Sequence, residues 1–253
     1  MSEGIPVAAT VHIGCCGWSY LEEREFAAQI KRKFSSKLQA YAQLFDTVEI
    51  NSTFYRIPRV STAQKWRDEA GAVNPKFEFT VKAYQGITHI HRFMGESISL
   101  FTQLREICRT LKTSVVLFQS PASFRPTDVS LKAMKSFFNE IERSDLTCVW
   151  EPRGKWYDSP PFIAEVCEGC KLVHCVDPFR NEPLVFGEEK IAYFRLHGFG
   201  KPSMYRYDFS EQELSRLATI LNSLPPSLHD VYILFNNVFC YENATGFRKL
   251  LNK

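Results

Sequence analysis

The chain has 253 residues, of which 45% are hydrophobic and 23% charged, and its 31 basic and 28 acidic side chains leave a formal net charge of +3. This is ordinary globular composition, which excludes disorder, collagen-like structure and coiled coil as the main state. So small a positive excess gives no argument for a nucleic-acid partner.

The opening MSEGIPVAATVHIGCCG has Glu3 ahead of any apolar run and no basic stretch, so it does not read as a signal peptide. No run of about 18 apolar residues exists to span a membrane. The expectation is a cytoplasmic protein, whose eight cysteines are mostly small buried hydrophobes in a reducing compartment.

Along the chain, β-rich runs recur at Val11–Gly17, Thr47–Asn51, Phe77–Lys82, Val115–Gln119, Thr147–Glu151, Lys171–Val176, Ile191–His197 and Val231–Asn237. Helix-like segments separate most of them. Ser35–Phe45 begins with capping-type serines, and Ser61–Ala70 stops at Gly71. Glu96–Lys112, Asp128–Arg143 and Ser210–Leu224 carry apolar residues at helical spacing, the last opening on a Ser210/Glu213 capping box, and Asn243–Leu251 closes the chain. Between the sixth and seventh strands Pro178, Asn181 and Pro183 predict a loop in place of a full helix. The short basic run Lys31-Arg32-Lys33 reads as a solvated approach to a helix.

Eight strands with intervening helices in this length predict a single (β/α)8 TIM-type barrel domain over residues 1–253, irregular between the sixth and seventh strands. The competing open doubly wound sheet loses its support. The first strand is followed by GCCGWSY rather than GxGxxG, and no GxxxxGK[ST] loop occurs.

Polar residues collect at the carboxyl ends of these runs: Glu49 and Asn51, Lys82, Gln119, Glu151 with Arg153, Asp177, Arg195 and His197, and Asn236 and Asn237. Strand side chains alternate with period two, so Glu49 and Asn51 share a face, as do Arg195 and His197. One strand-end Gln or Asn can as readily cap a loop, and one Glu–Arg pair can simply tie loops together. The same polarity on nearly every strand points instead to the mouth of a barrel, where active sites form.

These residues also carry a resemblance. The runs VEINSTFYRIP (Val48–Pro58), FEFTVKAYQGITHIHR (Phe77–Arg92), VLFQSPASF (Val116–Phe124), WEPRGKWY (Trp150–Tyr157), YFRLHG (Tyr193–Gly198), YRYDFSEQEL (Tyr205–Leu214) and LFNN (Leu234–Asn237) resemble the YecE-like family, domain of unknown function 72. The resemblance implies a single-domain barrel. It marks Tyr55, Thr88, His89, Trp156, Tyr205 and Gly198 beside the strand-end residues. Against the family pattern, Cys15-Cys16 replaces a Thr-Ser type pair, LEEREFAAQ lacks the usual Trp and Tyr-Pro, and Gly154-Lys155-Trp156 replaces a His-x-Ser-Trp run.

The constellation predicts a site for a small phosphate- or carboxylate-bearing molecule. Lys82, Arg153 and Arg195 would form an anion clamp. Glu49 or Glu151 would act as general base if desolvation raises its pKa, with His197 as acid or orienting group. Asn51, Tyr55, His89, Gln119, Trp156, Tyr205, Asn236 and Asn237 would complete the binding wall. Glycosidase chemistry on Glu49 and Glu151 and a Schiff base on Lys82 use the same groups. A metal-dependent phosphoesterase or nuclease would use Glu49, Glu151, Asp177 and a histidine, and a non-catalytic metabolite-binding module needs only the clamp. Cys167, Cys170 and Cys175, with His174 and Cys148, have partial spacing for zinc or an iron–sulfur cluster. No other cofactor is suggested, and the oligomeric state is open.

Overall fold

Eight short segments alternate buried side chains to both faces, and all eight become parallel strands of one closed barrel. In this computed structural model, which describes residues 9–19 and 33–252, they are β1 (Thr10–Cys15), β2 (Thr47–Ile50), β3 (Glu78–Lys82), β4 (Val115–Gln119), β5 (Thr147–Glu151), β6 (Val173–Val176), β7 (Ile191–Leu196) and β8 (Asp230–Phe235). They pair in chain order, and β8 returns onto β1 with Tyr232 opposite His12 and Leu234 opposite Gly14. The LEEREFAAQ segment, Lys31 and Arg32 lie outside the described residues.

The connecting helices are α1 (Lys37–Leu44), α2 (Val60–Gly71), α3 (Ser97–Leu111), α4 (Asp128–Glu140), α5 (Pro160–Gly169), α6 (Glu211–Asn222) and α7 (Cys240–Leu251). Their starts follow local chemistry. Ser36 and Thr127 accept backbone N–H groups at the heads of α1 and α4, and Ser210 with Glu213 forms the expected capping box on α6. The loop expected between β6 and β7 is present, with no helix in it. Helix α5 is an addition to the expected set; it follows Ser159, carries proline in its first turn and ends at Gly169.

The period of two sorts each strand. Val116, Phe118, Trp150 and Phe194 belong to the layer between sheet and helices, whereas Val115, Leu117, Val149, Cys175, Tyr193 and Leu234 fill the barrel. Phe118 anchors the outer layer through Phe93, Phe101, Phe137 and Phe138, with centroids 5.2–6.4 Å away. Three short helical turns sit directly beyond strand ends: Ser52–Tyr55 after β2, Gly86–Ile90 after β3 and Gly154–Asp158 after β5. They set the height of the rim.

Gly14 marks a tight seam. A Cβ there would lie 2.2 Å from the Thr47 carbonyl oxygen and 2.9 Å from the Tyr41 hydroxyl. That hydroxyl accepts the Cys15 N–H at 2.8 Å and donates to the Thr47 carbonyl at 2.8 Å, stitching β1 to β2. Gly14→Ala is expected to destabilise the chain by about 2–3 kcal/mol, as overpacking does, read as a lower urea midpoint. An unchanged midpoint would show that the seam is loose.

Candidate functional site

The inward-facing polar residues converge on one side chain. Arg195, from β7, is fully buried and lies across the barrel from Glu49 on β2, also fully buried. Its Nε donates to Glu49 Oε2 at 3.0 Å and its Nη2 to Glu49 Oε1 at 2.8 Å, a bidentate fork. Its Nη1 donates to Glu151 Oε2 on β5 at 2.6 Å and, more weakly, to Gln119 Oε1 at 3.4 Å. From below, the Tyr193 hydroxyl donates to Glu49 Oε2 at 2.9 Å and pairs with Thr80 Oγ1 at 2.8 Å.

The network continues to the rim. Glu151 Oε1 accepts from Arg153 Nη2, which also lies 3.0 Å from His197 Nε2. A guanidinium only donates, so this ring nitrogen accepts, and the His197 proton sits on Nδ1, 3.5 Å from Asp177 Oδ2. Asp177 Oδ2 also accepts the His197 backbone N–H at 3.1 Å and faces Arg180 Nε at 3.6 Å. Three carboxylates thus meet three guanidinium groups.

These contacts set the protonation states. Burial would raise the Glu151 carboxyl, but the charges of Arg195 and Arg153 outweigh it and hold the group down at about 2. Burial lowers the His197 imidazole, against the pull of Asp177 and Glu151, consistent with a neutral ring. Arg195 loses hydration on burial, yet Glu49 and Glu151 hold its pKa well above the ordinary value. These shifts correct the general-base expectation for Glu151: the paired carboxylate is made a weaker base.

Beside this network, between the ends of β1, β2 and β8, opens a cavity of about 580 Å³, a size suited to a small metabolite. Asn51, Tyr55, Lys82, Tyr205, Asn236 and Asn237 line it, together with Cys16 and Trp18. Lys82 is the exceptional group. It is 8% exposed, and among the described residues its Nζ has no ion pair, only the face of Phe54 at 4.3 Å. Burial, then the charge of Arg195, lower its pKa to about 8 in spite of Glu49 and Glu151.

The remaining expected residues separate by role. Arg195 cannot clamp a ligand, because every guanidinium nitrogen is already engaged and none reaches solvent. Gln119 belongs to the same network, and Arg153 only in part: its Nη2 meets Glu151 and His197, while its Nε has no hydrogen-bond partner and its side chain is 26% exposed. His89 stacks edge-on against Phe54 at 4.9 Å and pairs with Thr88 Oγ1, with burial and Lys82 lowering its pKa to about 4. Asn237 donates to the Tyr207 carbonyl and to Asn243 Oδ1, tying the β7–α6 connection to α7. Trp156 is 1% exposed; its indole N–H reaches the Phe124 carbonyl and its ring packs on Trp150 at 4.8 Å. It is a core residue and not part of the binding wall.

The two metal expectations fail on geometry. Cys175 points into the barrel, whereas Cys167, Cys170 and Cys148 lie in the outer layer, so the thiols do not converge. Glu49, Glu151 and Asp177 are each engaged by an arginine, and among the described residues no group of three or more His, Cys, Asp or Glu is placed to hold a metal ion. Two contributors escaped the sequence reading. Cys16, taken as a buried hydrophobe, lines the cavity with its Sγ 3.8 Å from Arg195 Nη2. Tyr193 supports Glu49, and its position two residues before Arg195 on the same strand face was the available signal.

Because the Glu151 carboxyl is held below its ordinary value of 4.5, its stabilisation is present above that pH and is lost as pH falls toward about 2. Glu151→Gln is expected to cost about 3–5 kcal/mol at pH 7, the cost of breaking a buried pair. The deficit shrinks between pH 4.5 and pH 2 as the parent carboxyl protonates. Urea denaturation at pH 7 and at pH 3 tests it; an equal deficit at both would contradict the assigned charge state.

Among the described residues no helix is long and apolar enough to cross a membrane. The chain is similar to the UPF0759 protein YunF of Bacillus subtilis (strain 168), 28% identical over 258 residues that cover 90% of this chain and 88% of that protein. Its fold matches a crystallised DUF72 family protein of Thermotoga maritima with a TM-score of 0.74 at 22% identity, covering 96% of this chain and all of the other. A DUF72 family protein of Enterococcus faecalis gives 0.73 at 21% identity, covering 96% of each. At these identities the structural likenesses speak for the barrel alone. The family model described as "Protein of unknown function DUF72" matches residues 12–253, and the chain therefore belongs to that family.

Proposed function

We propose that this barrel binds a small phosphate- or carboxylate-bearing molecule in the cavity at its mouth, with Lys82 as the group that receives the negative charge. The observation that carries this reading is the isolation of the Lys82 ammonium. Glu49 and Glu151 act on it only from a distance, each being paired with Arg195, and among the described residues no carboxylate makes an ion pair with Nζ. Lowering a lysine from 10.5 to about 8 corresponds to a destabilisation on the order of 3 kcal/mol for the charged form. A bound anion would remove that cost. Asn51 and Asn236 supply amide groups, and Tyr55 and Tyr205 supply aromatic faces with hydroxyls.

Glu49 and Glu151 then act as fixed charges, and the neutral His197 as an acceptor for Arg153, rather than as proton shuttles. Glu49 and Glu151 hold Arg195 in place, His197 meets Arg153, and the fixed charge of Arg195 helps lower the Lys82 pKa.

Sulfate is a suitable probe because it does not titrate near neutral pH. Calorimetric titration is expected to show binding at pH 7 that weakens as pH rises to 9, since Lys82 loses its proton near 8. Lys82→Met is expected to reduce sulfate affinity at least tenfold while raising the urea midpoint, because it removes an unpaired buried charge. Affinity indifferent to both pH and the substitution would overturn the reading.

A further inference from the structure

We propose that Lys82 is also a nucleophile, whose amine condenses with the carbonyl carbon of a small anionic aldehyde or ketone to form an iminium. This rests on the anionic-ligand reading above and narrows the substrate class to carbonyl compounds bearing a carboxylate or phosphate.

Three features of the site support it. The first is access with desolvation: Lys82 is buried except where it meets the cavity, so a small molecule can reach Nζ while bulk water is mostly kept away. The second is the lack of a carboxylate contact. Among the described residues Nζ meets only the Phe54 ring, and no salt bridge pins the proton on nitrogen. The third is the cationic neighbour Arg195, which with burial brings the ammonium to about 8. At pH 7 the free-amine fraction is then roughly 300-fold larger than for a lysine at 10.5.

The step balances without any redox partner. The ammonium releases one proton to solvent, and the nitrogen lone pair attacks the carbonyl carbon to give a carbinolamine. The carbinolamine hydroxyl takes up a proton and leaves as water, while the second nitrogen proton remains as the iminium N–H. Overall an ammonium and a carbonyl become an iminium and one water. Nitrogen is neutral as the free amine and in the carbinolamine and carries the positive charge again in the iminium, so the substrate anion regains its partner once water has left.

Glyoxylate, an aldehyde carrying a carboxylate, is the probe. The full chain is treated with glyoxylate and sodium cyanoborohydride at pH 7, with and without excess sulfate, and the alkylated lysines are quantified by peptide mass spectrometry. Lys65, with a side chain 72% exposed, is the internal control. The expected result is alkylation of Lys82 at least tenfold faster than of Lys65, slowed by sulfate. Sulfate binding with no faster labelling of Lys82 would overturn the nucleophile and leave the anion site standing. Fast labelling that sulfate neither slows nor accompanies by binding would support the nucleophile and overturn the anion site. Failure of both removes both.

Discussion

The structure turns on a guanidinium that has no contact with water. Arg195 can remain charged in the barrel only if its donors are met, and they are met by Glu49 from β2 and Glu151 from β5. Neither carboxylate is replaceable within this frame: removing one leaves a buried cation short of a partner. The arginine therefore fixes the relative position of three strand ends that are not neighbours in the sheet. It also closes the barrel interior below the mouth, since it occupies the space between the carboxylates. A cup lined by free cations, which the residue types alone suggest, becomes a floor in which Arg195 is matched, Arg153 is partly matched and Lys82 has no ion pair among the described residues.

That distinction explains what was readable in the sequence. Period-two alternation identifies which residues face inward, so Glu49, Lys82, Glu151, Arg195 and His197 are legible together, as are the eight strands that carry them. Alternation does not say at which height each side chain ends, nor which charge reaches which. Those depend on the stagger of strands around the ring, which places Tyr193 of β7 opposite Thr80 of β3. Tyr193 was overlooked because a tyrosine in an apolar strand resembles core until its hydroxyl is seen under Glu49.

Loops were less legible than strands, for a local reason. Trp156 follows Gly154, whose φ of 65° turns the chain after β5. The following short helical turn directs the indole under Phe124 and Phe162 rather than over the mouth. A glycine in a rim loop signals a turn without revealing its sense. The cysteines illustrate the converse. Cys167-x2-Cys170 and Cys175 are close in sequence, but a helix end and a strand face intervene, and the barrel wall divides them.

The opposite end of the barrel shows why the mouth is the end to interrogate. There His12 stacks on Tyr232 at 4.4 Å and lies between Asp230, at 2.7 Å, and Glu78, at 3.3 Å. Tyr232 donates to the same Glu78. In that cluster one imidazole and one tyrosine hydroxyl are shared by two carboxylates, an arrangement that ties strand starts together. At the mouth Arg195 is fully matched, whereas Arg153 Nε is buried without a hydrogen-bond partner and, among the described residues, Lys82 has no ion pair. A barrel that retains a desolvated ammonium beside a cavity carries an electrostatic cost that packing does not explain. Methionine or leucine in that position would satisfy the barrel better. On the anion-site proposal, a bound molecule of opposite sign would offset that cost, and the cavity between the ends of β1, β2 and β8 limits it to a small one.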